Sequence, residues 1–522
     1  MHLTGILSAF CISLILWATS RLLRRSRRLP YPPTPPAHFL LGNLRDVTVP
    51  KQRYHYDNLA KRYGEIFHLS ALGKHIVVVN TEEAAYELFT RRSAVYSDRA
   101  QLPMVSIMGW DIHMAMMPYG DKWRAHRRLF QQGFNPHTTA SFRPVHAEKL
   151  NVYLNRLLDT PKEFKTHAEM LVASVVFKVV YGHDILPDSR SHEGKDELFQ
   201  TAVQAIQNFL DSILPGNWLV NDFPFLRFLP EWVPGCRKFN EFARETRGLV
   251  ERIVERPYER ARERISTEGG EHTLVSVLEE SIAAGGHKNM FPRDPMEVCG
   301  TAFGAAGETT LTVIEAFYLI MRRHPSVQDK AYHEIGQVIG HERLPDFSDR
   351  ASLHYVEAVY REVMRWMPAV PYSVPHCTSE DDVYKGYFIP KGTTVIPNVW
   401  TMINDEAKYP NPRKFMPERH LTPEGKFNGG DINSIIGFGF GRRICVGRYF
   451  ADESVWRLIA CVLATFRIEN PTGKDLENDA IEKLESLDEA FLHTFMAHAV
   501  PYSCSIKPRT RKAAEVIREL DR

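Results

Sequence analysis

Residues 438–447 read Phe438-Gly439-Phe440-Gly441-Arg442-Arg443-Ile444-Cys445-Val446-Gly447. One thiol sits in a glycine-rich turn, with an aromatic ring upstream and Arg443 two residues before the sulfur. A thiolate stays ionised near cations and backbone N–H donors, and closely spaced glycines let the backbone approach it. A buried thiolate of that kind is one of the few protein axial ligands of haem iron, and it pushes electron density toward iron-bound oxygen. A single cysteine is otherwise most often a small buried hydrophobe.

The remaining composition is that of an ordinary folded protein: 522 residues, 44% hydrophobic and 25% charged. Lys+Arg 65 against Asp+Glu 63 is nearly balanced, which gives no reason to expect a nucleic acid partner. The seven cysteines are scattered, without C-x-x-C pairs, so neither a zinc site nor a disulfide framework is indicated. Reduced thiols suit a cytosolic setting for the main body.

The amino terminus has a different character. Residues 3–20 are apolar apart from small hydroxyls, just enough to span a ~30 Å hydrocarbon core as a helix. Arg21, Arg24, Arg25, Arg27 and Arg28 follow the apolar run, whereas a cleaved signal peptide carries its charge before it. The expectation is a single-pass anchor over 3–20 with the rest of the chain cytosolic. Residues 21–37 are then expected to form a basic, proline-rich hinge, 38–510 the main folded body, and 511–522 a polar tail.

Along the body, Glu65–Asn80 reads as a hairpin turning at Leu72-Gly73-Lys74, and Thr81 as the cap of a helix through Leu88. Residues 184–195 and 265–272 read as polar loops. A long helix starts at Asp294-Pro295-Met296-Glu297, with Asp294 as N-cap, and ends before Pro325. Its middle, Gly304 to Thr310, is a poor helix former, which predicts a local distortion opening a groove. A second helix spans 354–367, Val383–Val395 reads as a hairpin, and 398–437 is long and irregular. The fold class is mainly α with small β-sheets (α+β).

Several residue pairs carry chemistry. Glu308 beside Thr309 can relay protons, the alcohol hydrogen-bonding oxygen while the acid connects to water. Glu362 and Arg365 share one helix face, as would an ordinary surface ion pair. Trp123 and Arg127 are four apart on a helix, and alone they read as a core tryptophan plus a surface arginine. Apolar stretches at 102–117, 369–375 and 491–492 are candidate pocket lining. The aromatic run 223–235 is expected to dip into a membrane beside an entrance.

These motifs, in this order, resemble the cytochrome P-450 family, similar most to its fungal microsomal members. Phe438, Gly441, Arg443, Cys445 and Gly447 meet every fixed position of that family's haem loop. The resemblance implies a triangular, helix-rich catalytic domain holding haem b through the Cys445 thiolate. It implies that Trp123, Arg127, His376 and Arg443 bind propionates. Glu308 and Thr309 become the acid–alcohol pair, with Ala306 where glycine is usual. Glu362, Arg365 and Arg419 become a buried network holding the haem loop. Lys122, Arg124, Arg128 and the 442–448 arginines would form a docking face for NADPH–cytochrome P-450 reductase, with cytochrome b5 as a further electron donor. The implied activity is hydroxylation or epoxidation of a lipophilic substrate at the endoplasmic reticulum membrane, in fungal secondary metabolism or xenobiotic oxidation. A peroxide-rearranging isomerase or dehydratase, which would not need Glu308–Thr309, and a non-turnover haem sensor or carrier are the alternatives.

Overall fold

The computed structural model describes residues 29–185, 196–268, 271–285, 290–473, 476, 479–484, 486–492 and 494–520. The expected anchor at 3–20, the arginine part of the hinge and most of the 184–195 loop lie outside them. Among the described residues no helix is long and apolar enough to cross a membrane.

Helices dominate. The principal ones are α1 (Asp121–Gly133), α2 (Arg143–Asp159), α3 (Phe164–Tyr181), α4 (Glu197–Ile213), α5 (Cys236–Glu268), α6 (Asp294–Arg323), α7 (His354–Trp366), α8 (Arg448–Thr465) and α9 (Arg511–Glu519). Helix α6 is the axle and packs against α1, α3, α5, α7 and α8. Ala316 to Met321 are buried on every side, the pattern of a helix that runs through a core.

Two details of α6 differ from expectation. Asp294 is its first helical residue, not its cap: Oδ2 accepts the Phe291 N–H at 2.9 Å and Oδ1 meets His126 Nε2 at 3.1 Å. The helix also runs unbroken through Gly304–Thr310. Packing on the surrounding helices outweighs the weak propensity of this stretch, and the small residues supply room instead of a kink.

Strands β1 (Ile66–Ala71) and β2 (Lys74–Val79) form the expected hairpin. Leu72 and Gly73 both have positive φ, the mirror-image turn that matches strand twist. Thr81 caps the next helix, its Oγ1 accepting the Ala84 N–H at 3.2 Å, but the helix widens into a π turn over Tyr86–Arg91. Further on come β3 (His376–Cys377), β4 (Asp382–Tyr384), β5 (Tyr387–Ile389) and β6 (Thr394–Pro397). The hairpin expected over Val383–Val395 is only β4–β5. After the turn at Lys391–Gly392, β6 joins β2 in parallel and β3 antiparallel, burying Val395 in the sheet β1-β2-β6-β3.

The proline segment is docked. His68 donates its N–H to Pro33 O at 2.9 Å, Phe388 donates to Pro30 O at 2.8 Å, and Tyr31 stacks on His68. The first part of the 265–272 loop is the end of α5. The 511–522 stretch, expected as a polar tail, contains α9. Thr510 caps it, and Ala513, Val516 and Ile517, spaced to share one face, are buried as it packs on α2 and α8.

Candidate active site

Between α6 and the Cys445 loop lies a cavity with about 1990 Å³ of empty space, its open mouth included. The loop is shaped by local contacts. Cys445 donates its N–H to Phe438 O at 2.8 Å, closing the turn on itself. Gly441, at φ +55, is required: a Cβ there would fall 1.8 Å from Phe89 O, which the π turn presents to the loop. Cys445 lines the cavity and is exposed to it. Burial pushes the thiol up from its ordinary value, while the Gly447 N–H, Arg127 and Arg448 favour the thiolate.

One wall of the cavity is cationic: Arg99, Arg127 and Arg443 share it, with Asp98 the carboxylate that acts on Arg99 and Arg443. Arg443 donates to the carbonyls of Ser97 (2.8 Å), Met114 (3.0 Å) and Met117 (2.8 Å). Arg99 donates to Ala115 O at 2.7 Å and to Val374 O and Pro375 O at 2.8 Å each. Burial lowers Arg443 to about 9 and Arg127 to about 10. Arg127, buried, has no ion-pair partner among the described residues, and the buried Trp123 Nε1 has no acceptor there. Unspent donors and cations on one wall match the charge of a haem's two propionates.

His376 lines the same wall, and its Nδ1 lies 2.7 Å from Tyr96 O. Burial and the nearby Arg99 hold it well below the ordinary histidine value. The neutral ring gives its proton to Tyr96, so donation from Nε2 would need a second proton. Arg99 already carries the charge beside it. No sequence motif marks Arg99; its role rests on long-range contacts.

Across the cavity stands α6. Thr309 lines it, with Oγ1 donating to Ala305 O at 2.8 Å. Glu308 also lines it, and its Oε2 lies 3.2 Å from His498 Nε2. No sequence motif marks His498, which reaches Glu308 from a segment distant in the chain.

Glu362 is fully buried and receives Arg365 (2.7 and 2.8 Å), Arg419 (3.1 Å), the Met416 N–H (3.1 Å) and His420 (3.0 Å). Burial alone would raise its carboxyl, but Arg365, His420 and Arg419 pull it to about 2. Arg365 also donates to Ile403 O and Pro412 O, and Arg419 to Pro410 O, tying the irregular 398–437 segment to α7. His420 adjoins Arg419 in sequence, and that adjacency was its only signal.

The expected lining is partly redistributed. Met114, Met116, Ala369, Val370 and Val374 line the cavity, whereas Met104, Met108 and Phe491 are core; Phe495 and Met496 take the place expected of 491–492. Of the expected basic face, Lys122 is engaged with Glu297 at 2.7 Å, while Arg124, Arg128, Arg442 and Arg448 remain at the surface or partly so.

The family model for cytochrome P450 matches residues 32–489. The cytochrome P450 monooxygenase COX2 of Coprinopsis cinerea is 32% identical over 96% of this chain and 93% of its own. Cytochrome P450 monooxygenase 98 of Postia placenta is 34% identical over 96% and 95%. Cytochrome P450 monooxygenase ple1 of Rhodocybe pseudopiperita is 35% identical over 97% and 94%.

Proposed function

The chain belongs to the cytochrome P450 family, and from that premise we propose a haem-thiolate monooxygenase acting on lipophilic small molecules that reach it from a membrane. The observation that carries this is the opposition of Cys445 to the Glu308–Thr309 pair across one largely apolar cavity. Haem b, when bound, supplies the oxygen-activating chemistry. Cys445 would hold its iron. Trp123, Arg127, Arg99 and Arg443, with His376 beside them, would hold or neutralise its propionates. Thr309 and Glu308 move protons on the α6 side, and the apolar walls exclude water. An isomerase or dehydratase would not need that acid–alcohol pair.

Electrons come to this family from a redox partner. Arg124, Arg128, Arg442 and Arg448 form the surface that suits an acidic NADPH–cytochrome P-450 reductase or cytochrome b5. Membrane association is supported by exposed apolar side chains: Leu219 at 64%, Phe225 at 59%, Phe228 at 74% and Trp232 at 82%. Phe39 and Leu40 are exposed likewise. Both groups flank the β1–β2 turn, where Lys74 reaches Asn221 O and Gly42 bridges Ala71. With the apolar run at 3–20, they support placement at the endoplasmic reticulum membrane with the body in the cytosol. The fungal relatives support oxidation of a fungal metabolite or a xenobiotic.

The test is the ferrous–carbon monoxide spectrum of the membrane-expressed protein beside Cys445→Ser. A red-shifted Soret band in wild type, lost in the variant, is expected. A histidine-like band in folded wild type would refute the assignment.

A further inference from the structure

We propose that His498 is a positioning residue that holds the proton-handling carboxylate of Glu308 as one arm of a Glu308–His498–Glu315 clamp. This rests on the monooxygenase reading. His498 Nε2 lies 3.2 Å from Glu308 Oε2, and its Nδ1 lies 3.3 Å from both Glu315 Oε2 and Thr312 Oγ1. Thr312 spends its own hydroxyl proton on Glu308 O at 2.8 Å, so its oxygen can only accept from His498. Three acceptors around two ring nitrogens fit an imidazolium, which donates from both. The backbone fixes the ring: Leu492 N–H donates to His498 O at 2.8 Å, and the preceding Ala497 N–H donates to Ala369 O at 2.9 Å. Ala369 and Met496 line the cavity, so the clamp sits at its edge.

The second carboxylate is what makes the arrangement useful. A carboxylate paired with a single cation cannot turn toward the cavity without leaving both charges bare, a heavy penalty in a partly buried site. Here Glu308 can leave while His498 stays paired with Glu315. Glu315 is itself placed by its neighbours: its carbonyl accepts Tyr502 OH at 2.6 Å, and Lys165 on α3 is the next cation. The charged and titratable groups facing the clamp are therefore Glu308 and Glu315 from α6, Lys165 from α3 and Tyr502 from the carboxy-terminal segment. The two carboxylates hold His498 charged up to about pH 9 against the opposing effect of burial.

Diethyl pyrocarbonate, which attacks only neutral imidazole, tests the clamp on the full-length holoprotein, with modification of His498 read by peptide mass. In wild type His498 should resist at pH 7 and become reactive near pH 9. Glu308→Gln and Glu315→Gln, which keep the shape of the site, should each move that midpoint down by about one unit or more. A midpoint unmoved by both, or ready modification at pH 7, overturns the clamp. With reductase and NADPH, His498→Gln should raise hydrogen peroxide released per NADPH several-fold, and His498→Arg should restore it toward wild type. Equal release from all three also overturns it. The carbon monoxide spectrum, recorded on each variant, separates the two ideas: loss of the red-shifted band in wild type defeats the haem-thiolate reading, whereas an intact band with unchanged His498 reactivity defeats only the clamp.

Discussion

Arg443 sits over Trp123, its guanidinium carbon 4.5 Å from the ring centroid, while each of its three nitrogens donates to one carbonyl, those of Ser97, Met114 and Met117. The cation is therefore fixed in direction before any cofactor arrives. Its neighbour Arg127 is the opposite case: buried, charged and without a carboxylate among the described residues. One arginine builds the wall and the other waits for an anion.

That contrast separates two variants. Arg443→Leu leaves three carbonyls without donors and should cost about 3 kcal/mol, at roughly 1 kcal/mol or more per orphaned group. Arg127→Leu removes an unpaired buried charge, so the haem-free chain should be no less stable, while haem retention falls by about tenfold for one lost charge-assisted contact. Thermal unfolding of the haem-free protein and haem content after dialysis measure the two effects separately.

Glu362 should make the fold acid-sensitive. Its carboxyl is lowered in the folded state, so its stabilisation is complete above the ordinary glutamate value of 4.5 and is lost as pH falls toward about 2. Glu362→Gln leaves Arg365 and Arg419 buried against an uncharged partner and should cost about 3–5 kcal/mol. Denaturant titrations at pH 7 and pH 4 should show a large deficit that narrows at the lower pH.

How far the sequence reached follows from the range of the interactions. The Cys445 loop, the β1–β2 hairpin and the Glu362–Arg365 pair were legible because spacing within a few residues determines each. Arg419 was legible only through the family's order of motifs. Arg99 and His498 were not, since each acquires its meaning from contacts with distant segments. The poor helix formers at Gly304–Thr310 misled in another way: local propensity predicts a break, and the surrounding helices override it. The buried face of α9 was present as Ala513, Val516 and Ile517, hidden by the charges around it.

Thr309 tests the proton pathway itself. Thr309→Val keeps the side-chain shape and removes the hydroxyl that now donates to Ala305 O. The helix should survive, because its backbone ladder does not need that bond. Proton delivery should suffer by about 10²-fold, the lower range for a positioned acid–base group. With reductase present, NADPH should still be consumed but its electrons should leave as hydrogen peroxide, while the carbon monoxide spectrum stays as in wild type. Unchanged peroxide release would remove Thr309 from the pathway.

The exposed aromatic segment predicts membrane binding that survives loss of the amino terminus. Phe228 and Trp232 are 74% and 82% exposed, and their burial in lipid is worth roughly 1.5–3 kcal/mol for a side chain of Phe size. A chain lacking residues 1–28 should therefore still sediment with phosphatidylcholine vesicles. Phe228→Glu or Trp232→Glu should each weaken that partition by about tenfold or more, because each exchanges a favourable transfer for the cost of placing a charge at the interface. Neither residue touches the cavity, so haem content and the carbon monoxide spectrum should not change. Lys74 supplies the control: it is held at Asn221 O and Asp222 beneath the same segment. Lys74→Met should loosen the segment's seat without changing its apolar area, and vesicle binding should fall far less than with either glutamate.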